Sequence, residues 1–213
     1  MKKFLTIKVV TIGIILTGIA TLVVTFLFEM NPTKDKEVEA IKQAEQYLEE
    51  QFNDHFEIFD TLYNNIGTFN FAYAAKVRDT TSNTEFLIYF DEDTNQMVDT
   101  YIANKWENDL ENEISSIIKD KFGETSEILV DFTNDTIGKE LRIDPLQPKS
   151  YKDFNVAPTI QITVPRKANK EDEQSLNEVI AFLKSEKILR HGTVAMNYID
   201  KGIILDYEWF KYF

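Results

Sequence analysis

The chain has 213 residues and a formal net charge of −13, from 36 Asp and Glu against 23 Lys and Arg. That balance argues against nucleic acid and against adhesion to an anionic lipid surface, because both demand a broad basic face. With no cysteine, disulfide stapling and thiol acylation are excluded, so a folded body must be held by packed apolar surface.

Residues 1–8 carry Lys2, Lys3 and Lys8, and the positive-inside rule places them in the cytoplasm. From Val9 to Phe28, 20 residues run without a charge. At about 1.5 Å per helical residue they reach across a bilayer's hydrocarbon core. Gly18-Ile19-Ala20 resembles a signal-peptidase site, but the apolar run continues from Leu22 to Phe28. A released N-terminus has no reason to carry such a tail, so residues 9–28 read as a retained signal anchor. The expectation is a single-pass cell-membrane protein with residues 29–213 extracytoplasmic. Because all acidic residues follow the span, that outer part is more acidic than the whole chain.

Residues 29–34 form a linker, and residues 35–123 predict an α-β-β-β-β-α module. Val38, Ile41, Ala44, Leu48 and Phe52 recur at steps of three and four, the mark of an amphipathic helix. "HFEIFDTLY" alternates loosely. "TFNFAYAAKVRD" predicts a strand with Phe69, Phe71, Tyr73, Ala75 and Val77 on one face, and "EFLIYF" and "MVDTYI" predict two more. A helical period returns from Tyr101 to Phe122 through Trp106, Leu110, Ile114 and Ile117, with Gly123 as its stop.

Residues 124–213 predict a second α+β module in the order β-β-α-β-β. Its strands are "EILVDF", the proline-bounded "APTIQITVP", and a hairpin turning at Asp200-Lys201-Gly202. Its helix is "NKEDEQSLNEVIAFLKSEK", with Asn169 as cap, acids in the first turn, and Lys184 and Lys187 at the negative end. The expected fold class is therefore α+β: an N-terminal transmembrane helix, then two small modules, each an antiparallel sheet packed with helices.

No catalytic, cofactor or metal set emerges. "DEDTNQMVDTYI" places Asp91, Asp93 and Asn95 at the first positions of a calcium loop. Gln96 then stands where glycine is needed, and Ile102 where a bidentate glutamate belongs. His55 and His191 lack partners at metal spacing and suit capping or surface roles. No nucleophile elbow and no phosphate-cradling glycine loop occurs. The candidate partner surface is aromatic: Phe69, Phe71 and Tyr73 on one strand, and Trp209, Phe210 and Phe213 at the C-terminus.

The order of a lysine-flanked anchor, the "EAIKQAEQYLEEQF" helix and "FNFAYAAKV…FLIYFD…VDTY" resembles the YfjL-like small membrane-anchored exported proteins of Gram-positive bacteria, over about residues 35–123. The resemblance implies a helix packed on a curved antiparallel sheet and carries no activity to any residue. The functional expectation is a membrane-tethered extracytoplasmic module that binds rather than catalyses, of accessory or immunity type. Its partner would be an envelope or secreted protein, with a small ligand also admitted and no cofactor. The alternatives are an envelope enzyme with a carboxylate site and a homodimeric scaffold.

Overall fold

Helix α1 spans Lys34–Gln51, and its apolar stripe buries Ala44 while Phe52, just past its end, closes the stripe over the sheet below. The computed structural model describes residues 31–52, 54–124 and 126–213, with the side chains of 206–208 outside that description. The expected segments 1–8 and 9–28 thus lie outside the described residues. Among the described residues, no helix is long and apolar enough to cross a membrane.

Four strands follow: β1 (Phe56–Tyr63), β2 (Tyr73–Asp79), β3 (Glu85–Asp91) and β4 (Gln96–Asp99). They form an antiparallel meander in sequence order. Side-chain alternation divides the sheet by face. Ala75, Val77, Phe86 and Ile88 point into the main core, whereas Ala74, Tyr89 and Val98, aligned across β2–β4, join Phe71 in a small cluster on the other face.

The expected strand from Thr68 is shorter than the pattern implies: β2 starts only at Tyr73. The cause is Asn64. Its amide donates to Phe69 O at 2.9 Å and to Phe71 O at 2.8 Å, and its carbonyl accepts from Thr68 N–H at 3.1 Å. A side chain that satisfies these backbone groups locally competes with a strand ladder. Phe69 and Phe71 therefore do not share a strand face with Tyr73, Ala75 and Val77.

Helix α2 (Tyr101–Phe122) comes next and stops at Gly123, whose φ of 107° is a conformation that L side chains rarely adopt. Beyond it lie β5 (Glu127–Asp131), the single-turn α3 (Ile137–Glu140), a 3₁₀ turn (Tyr151–Asp153), β6 (Thr159–Val164), α4 (Asp172–Ser185), β7 (Thr193–Asp200) and β8 (Ile203–Tyr212). The β7–β8 hairpin turns at Lys201 and Gly202, with φ of 54° and 79°, the left-handed pair that matches strand twist.

The second sheet has the order β5-β6-β7-β8, and it corrects one expectation. β5 and β8 pair antiparallel with their neighbours, but β6 and β7 run parallel, so this sheet is mixed. A parallel pair cannot be joined by a tight turn; α4 supplies the crossover. Asp172 fixes where that helix starts. Buried at the first residue of α4, it accepts a forked pair of bonds from Arg166 at 2.6 and 2.8 Å, another from Tyr198 Oη of β7 at 2.9 Å, and a fourth from Asn169 N–H at 2.8 Å.

The core does not break at residue 123. Trp106, Leu110, Ile114 and Ile118 of α2 are wholly buried, within one continuous cluster that also holds Val77 and Ile88 of the first sheet and Ile160, Ile162 and Met196 of the second. Carboxylates on α2 also cover the edge of β5, where Val130 N–H donates to Glu111 at 3.1 Å and Phe132 N–H, just past the strand, to Glu107 at 3.4 Å. A single core makes a specific prediction. Leu110→Ala should cost about 2–5 kcal/mol, lowering one shared urea midpoint seen both by tryptophan fluorescence and by far-ultraviolet circular dichroism. Two separated transitions would contradict a shared core.

Candidate functional site

The aromatic residues singled out from the sequence fall into two separate groups. Phe69 and Phe71 stack at 5.1 Å in the loop before β2, but Phe71 is 3% exposed and Phe69 50%. Tyr73 stacks on Tyr63 at 4.8 Å, and its hydroxyl accepts from Thr33 N–H at 2.8 Å, fastening the start of α1. Trp209 and Phe210 belong to β8 of the second sheet, and Phe213 follows it. Phe210 is half exposed and meets Tyr212 edge-on at 4.9 Å. Trp209 packs against the main core. Phe213 lies against Gly192, exchanging backbone hydrogen bonds with it at 3.0 and 3.1 Å.

Several covered carboxyls have structural partners. Asp79 closes the β2–β3 turn, accepting from Thr81 N–H and Oγ1, Ser82 Oγ and, at 3.0 Å, Tyr101 Oη. Burial opposes its charge, but these hydrogen bonds outweigh burial and bring its pKa from an ordinary 3.8 to about 2. Asp91 accepts from Asp93 and Thr94 N–H, making the former calcium-loop candidate a polar hairpin turn. Among the described residues, no three His, Asp or Glu side chains converge as a metal set.

Three carboxyls move the other way. Burial raises Asp99 despite its bond from Tyr47 at 2.8 Å, and it raises Glu107 despite bonds from Asn104 and Phe132 N–H. Asp135 is raised by burial and then by the nearby charge of Asp131. Asp135 lines a cavity of about 250 Å³ with Phe59, Lys76 and Glu85.

The most differentiated site is a cleft of about 490 Å³ that sequence reasoning did not identify. One wall comes from the 3₁₀ turn and the chain after it: Tyr151, Lys152, Phe154 and Val156. The other comes from the end of α4 and its link to β7: Lys184, Lys187, Ile188, Leu189, Arg190 and His191. Its lysines and arginine are exposed, Ile188 and Leu189 behind them are buried, and among the described residues no acidic side chain lines it.

The way α4 ends places these cations. Ile188 N–H bonds to Leu183 O at 2.9 Å and Lys187 N–H to Lys184 O at 3.1 Å, the paired bonds of a Schellman turn. Ile188 and Leu183, both buried, supply its apolar contact. Lys187 occupies the turn's left-handed position, with φ of 57°, where glycine is favoured. Phe182 O accepts from Glu186 N–H and Ser185 Oγ. The carbonyls of Phe182, Leu183 and Lys184 are thus satisfied by the turn itself and by Ser185.

Lys152 Nζ is held by Glu113 at 2.6 Å, and Tyr151 Oη donates to the same carboxylate at 2.6 Å. Burial works to raise Glu113, yet these two bonds hold it below the usual range. Lys184 Nζ sits 5.4 Å from the centre of the Phe213 ring. Among the described residues, Lys184, Lys187, Arg190 and His191 form no ion pair with a carboxylate. The backbone behind them tolerates no bulk. A Cβ on Gly192 would come within 2.9 Å of Pro158 O and 3.3 Å of the Phe213 ring.

Comparison of the chain with protein-family models, curated proteins and solved structures finds no match. Function must therefore be argued from this geometry.

Asp79 has a folded pKa below its unfolded value, so its stabilisation is full above about pH 4 and is lost as pH falls towards 2. Asp79→Asn should cost about 2 kcal/mol near neutral pH and flatten the acid limb of a plot of stability against pH. Lys187→Gly should do the opposite, raising stability by about 1 kcal/mol because glycine relieves the left-handed strain. A thermal melt that falls on this substitution would show that the lysine supports the fold.

Proposed function

We propose that the chain is a single-pass, membrane-tethered extracytoplasmic binding module, accessory or immunity-type, that captures its ligand in the basic cleft without catalysing a reaction. The observation that supports it is the cleft: Lys184, Lys187 and Arg190, which among the described residues form no ion pair, gathered with apolar side chains on a chain of net charge −13. Gathering like charges costs repulsion that nothing lining the cleft relieves, and an anionic ligand would relieve it. Residues 9–28 supply the tether in this reading, and confinement to the surface raises the effective concentration of a binder with modest affinity. The likeness to YfjL-like exported proteins agrees with this location and adds no activity.

A second reading, an envelope enzyme acting through a carboxyl, draws on Asp135, whose raised pKa and position on a cavity suit a proton donor. The two readings separate in one experiment. The full chain, captured from its own membranes in mild detergent, should retain a ligand or partner that the Lys184→Gln, Arg190→Gln double variant loses. Equal recovery by both proteins would defeat the cleft reading. Turnover that survives the double substitution but stops on Asp135→Asn would establish the enzyme instead. A wild-type chain that washes off membranes in alkaline carbonate would remove the tether.

A further inference from the structure

Resting on that reading of the cleft, we propose that its ligand is a small amphiphilic anion: an aryl or short acyl body bearing a phosphate or carboxylate at one end. The lining divides as such a molecule does. Ile188, Leu189, Phe154 and Val156 supply apolar surface. Lys184, Lys187 and Arg190 supply charge, Arg190 through a planar fork that suits two oxygens of one anion. A space of about 490 Å³ holds a single small molecule and excludes a folded partner element.

Lys187 adds independent support. Its backbone conformation favours glycine, and among the described residues its side chain forms no ion pair with a carboxylate. Asn83, Asn95, Thr133, Arg142 and Lys201 share this left-handed conformation, but Lys187 alone of them lines the cleft, and a cation kept there where glycine would be less strained agrees with a ligand-binding use.

The anion could be free in solution or be the headgroup of a lipid in the same membrane, and one headgroup in a cleft does not need the broad basic face that the chain lacks. Both sources are tested with the full chain reconstituted in phosphatidylcholine nanodiscs. By calorimetry, phenyl phosphate should bind, inorganic phosphate at least tenfold more weakly, and neutral benzyl alcohol not at all. Binding of phenyl phosphate should weaken as salt rises. Lys187→Gly should weaken it at least tenfold while the melting temperature stays level or rises, a combination that a structural role for the lysine does not produce.

If phenyl phosphate fails but discs containing phosphatidylglycerol protect the amides of 184–191 from hydrogen exchange, and Lys187→Gly abolishes that protection, the anion is a lipid headgroup. Equal affinity for phenyl and inorganic phosphate would overturn the amphiphilic assignment. So would failure of every probe and every disc. If that failure coexists with capture from membranes that still depends on Lys184 and Arg190, the ligand class is wrong and the binding reading stands. If capture is also independent of those residues, both fall.

Discussion

Everything in this molecule depends on helix α2 being buried by two sheets at once. Without disulfides, the chain must find its stability in apolar area, and a wholly buried Leu or Ile contributes about 1.5–3 kcal/mol. Trp106, Leu110, Ile114 and Ile118 form one continuous line of such residues. The helix meets the first sheet at its start, where the Tyr101 ring packs on Phe86 at 5.1 Å, and Trp106 lies against Phe132, just past β5, at 5.5 Å. Trp106 also donates through Nε1 to Lys149 O at 2.6 Å, tying the long loop before the 3₁₀ turn to the same helix. That loop leads into the 3₁₀ turn that carries one wall of the basic cleft. The cleft is thus anchored to the core through α2 even though it sits near the surface.

Polar groups then define edges and starting points that apolar packing leaves loose. Glu107 and Glu111 cover the exposed side of β5, Asp79 closes a turn, and Asp172 pins the helix that makes the parallel crossover. Each leaves little choice of register. A carboxylate holding several N–H or O–H donors at once cannot be satisfied one residue to either side. The Asp172 cluster matters most for the site. It fixes the start of α4, and the length of that helix then decides where Lys184 and Lys187 emerge.

Periodicity made the helices legible, because α1, α2 and α4 each carry a full apolar stripe, and Gly123 and the Asp200–Gly202 turn are local chemistry. The strand before Tyr73 was misread because Phe69 and Phe71 continue the alternation. Only the Asn64 side chain, four or more residues earlier in sequence, reveals that those backbone groups are already taken. The parallel pairing of β6 and β7 is not written in either strand, whose alternation suits both kinds of sheet; the helix between them was the signal available. The cleft was invisible for a further reason. Its cations come from two stretches more than thirty residues apart, and Lys184 and Lys187 had a sufficient explanation as charges at a helix end. The stretch "KSEKILRH", with four basic side chains in an acidic chain, was the signal available.

The charge of the whole and the charge of the cleft do different work. At physiological ionic strength the Debye length is about 8 Å, so an anion inside the cleft feels the nearby cations far more than the distant acidic surface. A longer polyanion must extend past the rim, where the net charge of −13 opposes it. On the proposed reading, the same charge distribution favours a small anion over a long one. Selectivity of this kind needs no motif. It needs a basic recess narrower than the ligand's competitors, set in a body that repels them, and the turn after α4 builds such a recess by holding Lys187 in a conformation that the backbone alone disfavours.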